Sequence, residues 1–241
     1  MDIRITYIHH NCFVLQAETR TYLFDYPAGP HLPPGAADLV RRAVDGTDLA
    51  VFISHGHEDH CNGDLGAVTG GARRVRYVLS DDILELRPEA VPANGVVLNV
   101  EPDETYALDG MKIDTLMSND LGVAFLVEDG PFRFYFGGDL AKWIWKSASS
   151  AEASFTADFF RRAMVRVRAF GPHVAFSNVD RRLDNLAGGA EAYRECGARV
   201  FVPMHAFGET GWLPGFVRSV RGGGPDVFLY ANPGDSAVFS V

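Results

Sequence analysis

The chain has 241 residues, few cysteines, few lysines and no long apolar run. Cys12, Cys61 and Cys196 are an odd, sparse set, a poor disulfide framework that points to a reducing compartment. No stretch approaches the roughly 20 apolar residues that span a bilayer. The opening "MDIRITYI" alternates apolar and polar residues from the start, with no basic segment leading into an apolar one, so it carries no signal-peptide pattern. The expectation is a soluble cytoplasmic protein with no membrane partner. Only three of the 22 cationic residues are lysine, and the net charge is -9. That balance argues against a general nucleic-acid surface, although a local patch among the arginines stays open. A Gly-rich phosphate loop and a Gly-x-Ser-x-Gly elbow are both missing. So are linkers, repeats at solenoid spacing and low-complexity tracts. With 47% hydrophobic residues, the chain can bury a sizeable core, and the expectation is one domain over 1–241.

What is present is strand-rich. "RITYI", "CFVLQ" and "TYLFD" are short strands joined by tight connections. "PPGAADLVRRAV" is a helix started by proline. "LAVFIS" is a buried strand, followed by further strands at "VRYVL", "MKIDTLM", "GVAFLVED" and "FRFYFGGD", the last two separated by the hairpin signal "GP". A long helix covers 152–169. "HVAFSN" and "RVFVPMH" are apolar strands around a helical "GGAEAYRECG"; "WLPGFVRSV" is helical, and "DVFLYA" and "SAVFSV" are closing strands. Strand-rich halves that each carry helices suggest an α/β sandwich with helices on the outer faces.

The chemistry concentrates in "SHGHEDH", directly after the strand "LAVFI". Three of the eight histidines fall within six positions. A strand that ends in a loop dense in His and Asp fixes the first ligand rigidly and folds the others back toward it. His55 and His57 alternate, so they project from one side of an extended backbone. Asp59 and His60 follow where the chain turns, and Gly56 permits close backbone approach. Imidazole and carboxylate together suit Zn²⁺, with Mn²⁺ or Fe as options, one or two ions per chain. Cys61 adjoins the motif but is expected to pack rather than act as a nucleophile.

"HGHEDH" resembles the His-x-His-x-Asp-His signature of the metallo-β-lactamase superfamily, and the resemblance extends along most of the chain. "LFDYP" looks like the end of the family's opening strands, with Asp25. "FYFGGD" looks like the strand that delivers a metal-bridging aspartate, here Asp139, and "VFVPMH" like the strand that delivers the last histidine ligand, here His205. "YIHHNCFVL" and "GVAFLVEDGPFRFYFGGDL" look closest to the branch with ascorbate-6-phosphate lactonase. The resemblance implies a four-layer αββα sandwich with a metal cleft at one sheet edge. It implies His55 and His57 on one metal, Asp59, His60 and His205 on the other, and Asp139 bridging. The implied function is hydrolysis of a small, anionic cytosolic substrate, a lactone, ester or phosphodiester, by a metal-activated hydroxide held by Asp59 and Asp139. The alternative is a non-catalytic metal-binding or ligand-sensing module. Di-iron redox chemistry is a weaker third option, because no flavin-binding domain follows.

One ligand of the pattern is missing. The superfamily supplies a further histidine between the opening motif and the bridging aspartate, but this chain has none between His60 and His173. Ser118, Asn119 and Asp120 occupy that region. Either Asn119 or Asp120 supplies an oxygen ligand, or His10 swings in from the first hairpin, or one site is weak. His9 and His10 otherwise form a polar hairpin tip. Trp143 and Trp145 either pack under a helix or wall a substrate cleft. Asp180 and Arg181 either face the cleft, with Arg181 binding a carboxylate or phosphate, or form a surface ion pair.

Overall fold

The computed structural model describes residues 1–220 and 222–241. The chain divides into two compact units, residues 1–101 with 230–241, and residues 102–229.

The first unit begins with an antiparallel meander, β1 (Asp2–His9), β2 (Cys12–Gln16) and β3 (Thr21–Phe24). Then the pairing changes. After α1 (Ala36–Val44), β4 (Asp48–Ile53) lies parallel to β3. After α2 (Leu65–Val68), β5 (Arg74–Ser80) lies parallel to β4; after α3 (Asp82–Leu86), β6 (Val96–Val100) lies parallel to β5. One face of this sheet, with Val14, Leu23, Leu49, Val51, Ile53 and Leu79, packs on Val40 and Val44 of α1, Leu65 of α2 and Ile83 of α3. Full burial of such side chains contributes about 1.5–3 kcal/mol each. The apolar run of β4 is buried from Leu49 to Ile53, so its carboxyl end is a rigid base for the loop that follows.

The second unit repeats the plan. β7 (Thr105–Leu108), β8 (Met111–Met117), β9 (Val123–Asp129) and β10 (Phe132–Phe136) form an antiparallel meander. α4 (Ser150–Phe170) then leads to β11 (Val174–Asn178), α5 (Gly189–Glu195) to β12 (Val200–Met204), and α6 (Leu213–Val220) to β13 (Asp226–Val227), all three strands parallel to their neighbours. α4 opens with a capping box, in which Ser149 and Glu152 satisfy each other's backbone N–H groups, and ends at Gly171 with φ 65°. Phe160, Met164 and Val167 of α4 pack with Tyr193 of α5, Phe216 of α6, and Leu126, Tyr135 and Phe201 of the sheet. The last strand, β14 (Ser236–Ser240), pairs antiparallel with β1 and completes the first unit's seven-stranded sheet.

The helix expected from Pro33 starts at Ala36, with Gly35 at its N-cap. "DVFLYA" yields only the two-residue β13. β6, β7 and α3 have no counterpart among the sequence expectations. β6 and β7 are half-exposed edge strands, formed by pairing to β5 and β8 rather than by their own periodicity. Among the described residues no helix is long and apolar enough to cross a membrane.

Candidate metal centre

In the first unit, four imidazoles and two carboxylates gather at the carboxyl ends of β3 and β4 and at the β1–β2 turn. His55 Nε2 lies 2.9 Å from His57 Nδ1. His60 Nε2 lies 3.3 Å from His10 Nε2 and 3.8 Å from Asp59 Oδ2, and His10 Nε2 is 3.5 Å from that same oxygen. These edges resemble those of a tetrahedron with apices about 2.1 Å from a central ion, about 3.4 Å. His10 and His60 belong to one group of side chains close enough to share a metal ion, and His55 and His57 to another. The far sides of two rings are anchored. Asp25, fully buried, accepts from His60 Nδ1 at 2.7 Å, from Ser54 N–H at 2.8 Å and from Ser54 Oγ at 2.9 Å. Ser54 Oγ is also 3.0 Å from His55 Nδ1. A ligating histidine commonly donates its other N–H to a carboxylate or hydroxyl, which fixes the tautomer and turns the free nitrogen inward. Burial pushes the Asp25 carboxyl above the usual carboxylate range, against the pull of His60 and Ser54.

The backbone is strained where these groups sit. His10 has φ 52° and Asp25 φ 34°, a left-handed region that non-glycine residues rarely enter. The two-residue turn between β1 and β2 forces this on His10 and aims it back at His60. His10 is therefore brought to the motif, beside His60 and Asp59, rather than to the His55–His57 pair. The neighbouring Cys61 is buried, which raises its thiol to about 12 and suits packing rather than nucleophilic chemistry.

In the second unit, Asp139 follows β10 across Gly137 and Gly138. A Cβ on Gly137 would lie 3.1 Å from the Phe176 carbonyl, and Gly138 has φ 49°, so the glycine pair is what allows this sharp exit. Buried Asn178 donates to the Gly138 carbonyl at 2.8 Å and Trp143 Nε1 to that of Asp139 at 2.8 Å. Asn178 was not among the sequence candidates. His205, at φ 67°, follows β12 and places Nε2 3.5 Å from Asp139 Oδ2. Its Nδ1 is 3.0 Å from Asp180 Oδ2. Arg182 grips both Asp180 oxygens, at 3.0 Å through Nε and 2.6 Å through Nη2. Burial raises the Asp180 pKa, but the bonds from His205 and Arg182 outweigh it and hold the carboxyl down at about 2. Asp180 thus acts on His205, as Asp25 acts on His60.

The remaining candidates fall as follows. Arg181 is exposed and ion-paired to Glu209, the surface-pair alternative. Both polar atoms of the Asn119 side chain bond the Ala141 backbone, at 2.7 and 3.1 Å, so its amide is committed. Asp120 is exposed. Trp143 is half-buried against His205, with ring centroids 5.0 Å apart, and stacks on the exposed Trp145. A cleft of about 170 Å³, lined by Asp180, Arg182, His205, Phe207 and Trp212 among others, opens beside His205.

The family described as "Beta-lactamase superfamily domain" matches residues 4–154. No curated protein matches the chain in sequence. Among solved structures, a novel metallo hydrolase from Ignicoccus hospitalis is similar over 100% of both chains, at 14% identity and a TM-score of 0.63. The metallo-β-lactamase fold protein YhfI from Bacillus subtilis is similar over 99% of both chains, at 15% identity and a TM-score of 0.61. The diiron β-hydroxylase CmlA from Streptomyces venezuelae is similar over 99% of this chain and 54% of its own, at 13% identity and a TM-score of 0.56. The chain belongs to the metallo-β-lactamase superfamily. Its two helix-flanked sheets are those of that fold, and its His/Asp groups are of the metal-binding kind.

Proposed function

We propose that the protein is a metal-dependent hydrolase acting on a small anionic substrate, a lactone, ester or phosphodiester, in the cytoplasm. The observation that carries this is the cluster in the first unit, where His55, His57, Asp59, His60 and His10 turn ring nitrogens and a carboxylate oxygen toward one another at 2.9–3.8 Å. Unlinked by an ion, the buried imidazoles of His10, His55 and His60 are costly to assemble. Nitrogen and oxygen donors of this kind fit Zn²⁺ best, with Mn²⁺ or Fe as alternatives. By the motif order of the family, Asp139 and His205 complete the ligand set. A divalent ion held there would supply a water acidic enough to ionise near neutral pH.

The chain's own residues do the rest. Asp59 and Asp139 accept hydrogen bonds from the attacking water and orient it. Asp25 and Asp180 hold His60 and His205 in one tautomer each. The exposed Trp145 ring and Phe207, 38% exposed, flank Arg182, at 5.6 and 4.5 Å from its guanidinium, and wall the cleft beside His205. The likeness of "YIHHNCFVL" to the lactonase-containing branch favours a lactone among the substrate classes. Asp120 is the proposed oxygen ligand for the ion of His55 and His57, since Asn119 is committed elsewhere.

Metal analysis with a panel of lactones and phosphodiesters tests the proposal. His57→Ala and His60→Ala should each lower metal per chain and abolish turnover, and His10→Ala should weaken one ion. Unchanged stoichiometry in all three variants sinks the metal centre. Full metal content without turnover on a wide panel favours the non-catalytic binding module.

A further inference from the structure

The short helix α3 and Arg87, which follows it, hold the middle of the metal motif from both sides. Gly56 lies between His55 and His57. Its N–H donates to Asp82 Oδ2 at 2.7 Å, and its carbonyl accepts from Arg87 Nε at 3.1 Å. The guanidinium of Arg87 also pairs with Glu58 Oε1 at 2.9 Å. α3 lies so close that a Cβ on Gly56 would sit 3.1 Å from Asp82 Oδ2 and 3.2 Å from Leu86 Cβ. Both backbone polar atoms of Gly56, one from each flanking peptide unit, are thus taken by a single helix and its exit.

We infer that Asp82 and Arg87 are positioning residues that set the spacing of His55 Nε2 and His57 Nδ1 by clamping Gly56. The inference rests on the metal-centre reading above. Its physical basis is the freedom of glycine. An unclamped Gly56 rotates more easily than any other residue, and each rotation splays the two rings attached on either side. Metal ligands tolerate misplacement of only about 0.2 Å.

Zn²⁺ titration of the metal-free protein by calorimetry and chelator competition tests the clamp, with His57→Ala identifying which ion belongs to the His55–His57 pair. Arg87→Ala and Asp82→Ala should each weaken that ion by about 10–100-fold and leave any other within roughly twofold. Asp82→Asn, which keeps an acceptor for the Gly56 N–H, should restore most of the affinity. Arg87 is partly exposed, with 29% of its side chain accessible, so Arg87→Ala keeps the fold even if Asp82→Ala does not. Unchanged affinity in Arg87→Ala, or equal weakening of all ions, overturns the clamp. No metal on the unaltered protein overturns the centre itself, and the two failures are told apart before any variant is measured.

Discussion

Replacing Asp25 by alanine is the sharpest test of how the first unit holds its histidines. Asp25 is fully buried and accepts three hydrogen bonds, from Ser54 N–H, Ser54 Oγ and His60 Nδ1. Ser54 Oγ has a second partner within reach, His55 Nδ1 at 3.0 Å. The Ser54 amide and His60 Nδ1 lose their acceptor at Asp25. A buried donor left unsatisfied costs about 1–3 kcal/mol, so Asp25→Ala should cost about 2–6 kcal/mol of a total near 5–15 kcal/mol. Asp25→Asn should cost less, for two reasons. It removes a charge that burial already disfavours, and asparagine tolerates the φ of 34° at this position better than alanine does. Metal affinity should fall by about 10–100-fold in both variants, because His60 loses the charged partner that orients it. Urea unfolding followed by tryptophan fluorescence, on chelated and Zn²⁺-loaded protein, reads the first effect, and calorimetric titration reads the second. An Asp25→Ala protein that matches the unaltered chain in both would refute the reasoning.

Two further outcomes are expected. In the unaltered protein a chelator should remove the His55–His57 ion first, and Asp120→His should retain it longer, whereas Asn119→His should mainly lower the melting temperature because it cuts two bonds to Ala141; equal release of all ions from the unaltered chain would contradict this. For Asp180, the folded pKa of about 2 lies below the unfolded value of 3.8, so its stabilisation is present above the unfolded value and is lost as pH falls toward the folded one. In metal-free protein, Asp180→Asn should therefore flatten the loss of stability over that acid range, and parallel pH curves for variant and parent would exclude the effect.

Most strands were legible because each is a short apolar run bounded by turn residues, as in "CFVLQ", "LAVFIS" and "VFVPMH". The long helix was legible because 152–169 runs on without proline or glycine; the capping box at Ser149 starts it two residues earlier, at Ser150. What was not legible depends on neighbours. β7 buries little of itself and exists because β8 offers it a ladder. α3 is one turn and a half, too short to show a period, yet its Asp82 and Arg87 reach Gly56.

The motif histidines could be read because the ligands of one loop are close in sequence. The partners that orient them could not, since Asp25 is separated from His60 by 35 positions and Asp180 from His205 by 25. Arg182, not Arg181, holds Asp180, because the chain leaves β11 in a turn where strand alternation no longer predicts side-chain direction. The same loss of phase hid that His10 faces His60 rather than the His55–His57 pair. The sheet order supplies the missing rule. Both sheets change from antiparallel to parallel pairing at one strand pair, β3–β4 in the first and β10–β11 in the second. Asp25 follows β3 and Asp139 follows β10; the histidine loop follows β4 and Asp180 lies just after β11. The carboxyl ends of these strands are where the loops that carry the chemistry leave each sheet. Each unit has put acidic or imidazole groups at the same topological positions and given them different work. Asp25 is buried behind a histidine and orients it. Asp139 faces a ring nitrogen of His205, so the repeated architecture accounts for where the chemistry lies, and the local hydrogen bonds account for what each carboxylate does.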